Sequence, residues 1–213
     1  MMDKQRILEH TEGWISERFS EDTTGHDQWH MKRVVKLAKQ LAEKEKADSF
    51  ICQLAAYVHD VPDEKLVNDH EAAMKEIFTF LKEEGVPELL RHQIWLAFKD
   101  VSFKGQYKVP ETLEGKVVQD ADRLDALGAI GIARTFAYGG ATGAEMFNPN
   151  SVHAVKKQDN PSQDNTTINH FYEKLVKLKD LMNTESAKKM AAERHQYMEK
   201  FLTRFYAEWN GDD

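Results

Sequence analysis

The sequence predicts an all-α protein folded as one domain. Three observations carry this expectation. Apolar residues recur at helical spacing through most of the 213 residues. No stretch alternates apolar with polar residues as a half-buried strand does. The ends of the periodic runs carry readable stop signals.

Taken in order, the first helix is expected over 3–19, where a charged start, Met1 to Arg6, leads into an amphipathic run. The second spans 28–46, with His30, Val34, Leu37, Ala38 and Leu41 on one stripe. The third, 49–60, places Ile51, Ala55, Val58 and His59 on its core side and finishes on His59-Asp60. Helices over 68–84 and 87–98 are separated by Gly85-Val86-Pro87, and Val109-Pro110 precedes a long helix over 111–136. Two more are expected over 166–182 and 184–208, the last capped within Asn183-Thr184-Glu185-Ser186. The outlier is a long loop from Tyr138 to Asn165, holding Gly139, Gly140, Gly143, Pro149 and Pro161. A loop of that length is either functional or merely a surface excursion. Lys156 and Lys157 within it allow a lid that closes over phosphate.

Composition narrows the function. A net charge of −7 argues against a general nucleic-acid-binding surface, which needs clustered Lys and Arg. It leaves room for a phosphorylated small molecule. The apolar runs are too short to span a bilayer, and the start lacks the apolar core of a signal peptide. The single cysteine, Cys52, falls within a buried helix, so no internal disulfide forms and a cytoplasmic setting is expected.

The most informative pair is His59-Asp60. A carboxylate at the end of a buried helix is costly to desolvate without a positive charge beside it. The next Lys or Arg along the chain, Lys65, is poorly placed to provide one. A metal cation explains the pair; a helix that simply ends on two polar residues is the plainer account. His30 begins the buried stripe of its own helix. Downstream, Val118 to Leu127 carries three carboxylates in a core-like stretch. A solvated surface is expected for Asp120 and Asp125 and fits Asp122 less well. Three helices thus bring nitrogen or oxygen ligands toward one core side. The mixed set suits Mn, Fe, Co, Ni or Zn better than a thiolate-loving ion.

An isolated His, then His-Asp, then a distant Asp is the order that names the HD-domain metal-dependent phosphohydrolases, and this chain resembles them. The likeness extends through Gly25-His26-Asp27-Gln28-Trp29-His30-Met31-Lys32-Arg33-Val34, Ser102-Phe103-Lys104-Gly105 and Thr167-Ile168-Asn169-His170-Phe171-Tyr172-Glu173-Lys174-Leu175. Those stretches resemble a small bacterial YpgQ/YedJ-like subgroup, and the likeness covers nearly the whole chain. It implies a single HD-type domain over 1–213, with metal-site motifs within 26–125 and the helices of 166–208 completing the pocket. The implied ligands are His30, His59, Asp60 and Asp122, holding one divalent ion: Mn by preference, with Co, Ni, Fe, Zn or Mg as alternatives.

The implied chemistry is hydrolysis. Some HD phosphohydrolases carry a catalytic carboxylate at the offset of Asp63 from the His-Asp pair, and Glu64 lies beside it. An ordinary polar turn is the alternative for both. For gripping phosphate, Lys104 is the first candidate, because a Gly-flanked lysine can approach an anion closely. Lys177 and Arg194, on faces expected to be half-buried, are raised above other cations by the resemblance; solvated helix charges are the alternative. Arg123 could hold a neighbouring carboxylate or substrate. His26 could contact substrate or serve the helix start, and Trp29 could stack a base or simply pack.

The resemblance points to a nucleotide substrate, with a nucleoside triphosphate cleaved between the α and β phosphates to monophosphate and pyrophosphate. Nucleoside monophosphate phosphatase and cyclic-nucleotide phosphodiesterase activities are the nearest alternatives, and a homodimer stays open. Two other classes use the same residues. His26 and His30 at i and i+4 are similar to a zinc-peptidase pair with Asp27 as its base. A non-catalytic module would hold metal and nucleotide without turnover.

Overall fold

The computed structural model describes residues 2–20, 27–62, 69–101, 108–150 and 166–212. Within them the chain forms helices α1 (Lys4–Arg18), α2 (Gln28–Glu45), α3 (Ser49–Val58), α4 (His70–Glu83), α5 (Glu88–Phe98), α6 (Leu113–Asp125), α7 (Gly128–Thr142), α8 (Thr167–Glu173) and α9 (Glu185–Asn210). A 3-10 helix, Leu175–Leu181, precedes α9. No strand occurs among the described residues. None of these helices is long and apolar enough to cross a membrane.

The core is built around α3, which packs against α1, α2, α5 and α6. Phe50, Ile51, Cys52, Leu54, Ala55, Ala56, Tyr57 and Val58 are all buried, so α3 has almost no wet face. A helix apolar all round belongs in the interior. Beside it, α2 turns Val34, Ala38 and Leu41 inward, as its periodicity predicts. Short polar caps start both helices. The Asp27 carboxylate accepts from His30 N at 2.7 Å, and Asp48 accepts from the amides of Phe50 and Ile51. Each such cap contributes about 1 kcal/mol.

The expected helix over 111–136 is instead two, α6 and α7, joined through Ala126 and Leu127. Gly128 adopts φ +72°, a left-handed backbone that breaks the run. Gly131 then lets the turn fold back tightly: a Cβ there would lie 2.2 Å from the Ala126 carbonyl oxygen. An exposed helical Gly→Ala change normally stabilises, by up to about 1 kcal/mol. Here the sign reverses. Gly131→Ala is expected to destabilise by roughly 1–3 kcal/mol, because backbone must shift to admit the methyl, and urea unfolding measures it.

The loop expected from Tyr138 begins later. α7 continues through Gly139 and Gly140 to Thr142, and Gly143 closes it with φ +71°. Gly139 permits close packing, since a Cβ there would meet Thr167 Oγ1 at 2.2 Å. The chain after α7 is tied to the start of α8 by Thr167 N to Glu145 O at 2.9 Å and Ile168 N to Met146 O at 3.0 Å. Lys156 and Lys157 lie outside the described residues. The expected helix over 166–182 divides into α8 and the 3-10 helix, while the Thr184 cap of α9 forms as expected, accepting from Ala187 N.

Asp120 and Asp125, expected on a solvated surface, are both buried. Their helix, α6, lies between α2, α3, α5 and α9 and has little surface to give them. Asp120 accepts from the backbone amide and side-chain Nδ2 of Asn183 and from the amide and hydroxyl of Thr184, all within 2.9 Å. It thereby fixes the start of α9 to α6.

Candidate metal centre

Three helices deliver the polar groups of one buried site. α3 ends at Val58, and the next residue, His59, keeps a helical φ of −61°, holding its side chain on the core side. His59 and Asp60 are both buried, as is His30 in the first turn of α2. Asp122, on α6, is the least covered of the four, its side chain 27% exposed.

The geometry is convergent. His30 Nε2 lies 3.5 Å from Asp60 Oδ2 and 3.5 Å from Asp122 Oδ1. His59 Nε2 lies 3.2 Å from Asp60 Oδ1 and 3.7 Å from Asp122 Oδ1. Candidate ligand atoms of His30, His59 and Asp122 all fall within 4.8 Å of one another. His59 Nδ1 donates to the Ala56 carbonyl at 2.8 Å, so Nε2 is the nitrogen turned toward the carboxylates. That Nε2 is buried and has no hydrogen-bond partner among the described residues. Two imidazoles and two carboxylates facing one point fit a divalent cation, which would satisfy the orphaned nitrogen and neutralise the acids.

In the metal-free site, protons do part of that work. Burial pushes the His59 imidazole down, but the neighbouring carboxylates of Asp60 and Asp122 outweigh it, raising its pKa from 6.5 to about 9. His30 is also raised: burial opposes, while Asp125 and Asp60 prevail. Asp122 moves down, its burial outweighed by His59 and His30. A raised imidazole pKa stabilises the metal-free fold fully below pH 6.5, a contribution lost as pH rises through about 9. Metal must expel the same protons, so its affinity climbs across that window. The melting temperature gained on adding metal to stripped protein is therefore expected to widen from pH 6.5 to about 9. Thermal melts across that range test it.

The other expected site residues divide. Arg123 is buried and donates to the Leu181 carbonyl. Arg194 is half-buried as expected and donates to the Leu124 carbonyl. Its aliphatic stem packs where a side chain at Gly128 would otherwise sit. Lys177, expected half-buried, is exposed on the 3-10 helix, because that short helix rests on Leu175 and Leu178. It faces a groove of about 540 Å³ shared with α9. Trp29 is not packed away: it is 59% exposed, with Lys32 Nζ 5.1 Å from its ring centre. His26, Asp63, Glu64 and Lys104 lie outside the described residues. Asp27, the base of the peptidase reading, caps α2, its carboxylate accepting from His30 N.

One neighbour went unpredicted. Asp125 Oδ2 lies 2.8 Å from His30 Nδ1. Its signal was present in the sequence: Asp125 follows Val118, Ala121 and Asp122 at i+7, i+4 and i+3, on the stripe that carries the site.

A family model, HD domain, matches residues 29–127, an interval that contains His30, His59, Asp60 and Asp122. The uncharacterized protein YpgQ of Bacillus subtilis is 35% identical over 215 residues, spanning 100% of this chain and 98% of its own. The crystal structure of an HD-superfamily hydrolase from Bacillus thuringiensis superposes with a TM-score of 0.77 at 44% identity, covering 98% of this chain and 99% of that one. The crystal structure of Bacillus subtilis YpgQ in complex with ADP gives a TM-score of 0.80 at 34% identity, covering 97% and 100%. Similar along its whole length to these relatives, and carrying its two histidines and two aspartates in one buried site, the chain belongs to the HD superfamily of hydrolases.

Proposed function

We propose that this protein is a metal-dependent phosphohydrolase that cleaves a nucleoside or deoxynucleoside triphosphate to monophosphate and pyrophosphate. One observation carries the reading: four convergent candidate ligands, three buried and the fourth, Asp122, partly open to solvent. A site closed on all sides would be structural. One with an open side admits a substrate oxygen. The nucleotide class is supported by the YpgQ complex with ADP.

A divalent ion, Mn by preference, would be held by His30, His59, Asp60 and Asp122 and would supply positive charge against a phosphoryl oxygen and acidity to water near neutral pH. The protein's own part is orientation and proton handling. The Ala56 carbonyl keeps the Nδ1 proton of His59 outward, so its other nitrogen serves the site. Asp63, with Glu64 beside it, takes the role of orienting and deprotonating the attacking water. Lys104 and His26 hold the phosphates, with Arg123, Lys177 and Arg194 as further cationic contacts. The protein acts in the cytoplasm as one HD-type domain, with Cys52 reduced and buried.

The test is a panel of nucleoside tri-, di-, mono- and cyclic phosphates with Mn, Co, Ni and Mg, resolving pyrophosphate from orthophosphate. Equal release of monophosphate and pyrophosphate is expected. Orthophosphate alone would move the activity to the monophosphatase class. Bound metal with no turnover anywhere would leave a binding module.

A further inference from the structure

We propose that Asp125 is the positioning residue of the metal centre: clamped by Arg33 and Arg134, it holds the His30 imidazole with Nδ1 protonated and Nε2 turned toward the ion. This rests on the metal-dependent reading of the site.

Both Asp125 oxygens are committed to cationic donors. Arg33 grips the carboxylate with two bonds, Nε to Oδ1 at 2.7 Å and Nη2 to Oδ2 at 3.0 Å. Arg134 Nη1 donates to Oδ2 at 2.8 Å. A carboxylate so held is an acceptor only, so its 2.8 Å contact with His30 Nδ1 needs the proton on the imidazole. The opposite nitrogen then faces Asp60 and Asp122. His30 therefore spans two carboxylates three residues apart on α6, Asp122 at Nε2 and Asp125 at Nδ1. One helix supplies both a ligand and the brace for another ligand. The braces come from α2 and α7, so three helices fix the plane of one ring.

A purely structural ion cluster is the competing account. Buried ion clusters contribute little net stability compared with apolar residues of similar volume. Stability alone gives no reason for the cluster to close on a metal-site histidine. A hydrogen-bond acceptor behind a ligating imidazole fixes its tautomer and raises its basicity, and its loss typically weakens metal binding about 10–100-fold.

The experiment uses the full chain with Asp125→Asn, Arg33→Met and Arg134→Met. Dissociation constants for Mn and Zn are measured by calorimetry, and the His30 Nδ1 proton is followed by NMR in the zinc-loaded protein. Positioning predicts a downfield, slowly exchanging Nδ1 proton in the wild type, moved upfield in Asp125→Asn. It also predicts dissociation constants about 10–100-fold higher in that variant, with smaller rises in the two arginine variants. Unchanged dissociation constants and an unchanged Nδ1 proton in folded Asp125→Asn would overturn the proposal. If Asp125→Asn fails to fold, Arg134→Met decides by the same two measurements. A wild-type protein that binds neither metal would instead sink the metal reading itself, before any variant is compared.

Discussion

His59→Ala is expected to abolish metal-dependent hydrolysis and to weaken metal binding by more than roughly 100-fold, since even the loss of a residue behind a ligand costs about 10–100-fold. The side chain is fully buried, and its Nε2 has no hydrogen-bond partner among the described residues. The purely structural loss is the packing of the ring and the 2.8 Å bond from Nδ1 to the Ala56 carbonyl. What disappears is the nitrogen 3.2 Å from Asp60 and 3.7 Å from Asp122, leaving two carboxylates facing each other with less to balance them. The same outcome is expected for His30→Ala, Asp60→Ala and Asp122→Ala. Turnover and bound metal, measured on folded variants, check it. Full metal-dependent activity in any of the four would remove that residue from the ligand set.

Asp120→Ala is expected to be the most destabilising single change on α6 that leaves the four candidate ligands in place. Four donors from Asn183 and Thr184 converge on this buried carboxylate. Truncation removes the acceptor of all four, and only Asn183 Nδ2 keeps another, the Gln119 Oε1 at 3.0 Å. Each unsatisfied buried donor costs about 1–3 kcal/mol, and partial relaxation brings the sum to roughly 3–5 kcal/mol. For a chain of this size that lowers the melting temperature by roughly 6–20 °C. Asp120→Asn retains one acceptor and is expected to lose less. Calorimetric melts of both variants in saturating metal separate this effect from any change at the ligands. A melting temperature within about 2 °C of wild type for Asp120→Ala would show that α9 is held by its apolar contacts instead.

How much of this was legible differs between neighbours on one helix. His30 was readable because the stripe Val34, Ala38, Leu41 behind it is regular, and α2 buries that stripe as written. His59-Asp60 was readable because α3 is so uniformly apolar that two polar residues at its end stand out. Asp120 and Asp125 were misread as surface because a charged residue in a helix usually faces water. Their actual partners lie far along the chain: Asn183 and Thr184 for the first, His30 and Arg33 for the second. Local periodicity puts Asp125 on the stripe that carries the site, but it holds no record of donors that distant. The break between α6 and α7 was hidden for a different reason. Gly128 reads as an ordinary tolerated glycine until its φ of +72° is known. Resemblance supplied the candidate role of Asp63 and raised Lys177 and Arg194 above other cations, which helical spacing could not; His26 and Lys104 are read from their local sequence.

The pairing of Glu145 and Met146 with the first residues of α8 has a consequence for how this scaffold can change. Thr167 N and Ile168 N bond to the carbonyls of Glu145 and Met146, and Gly139 lets Thr167 approach closely. These bonds run through the backbone and do not depend on which side chains the two residues carry. Glu145 and Met146 are both exposed. Their side chains can therefore be exchanged while α8 stays registered against the end of α7, which makes them positions for attaching a reporter to an otherwise unaltered hydrolase.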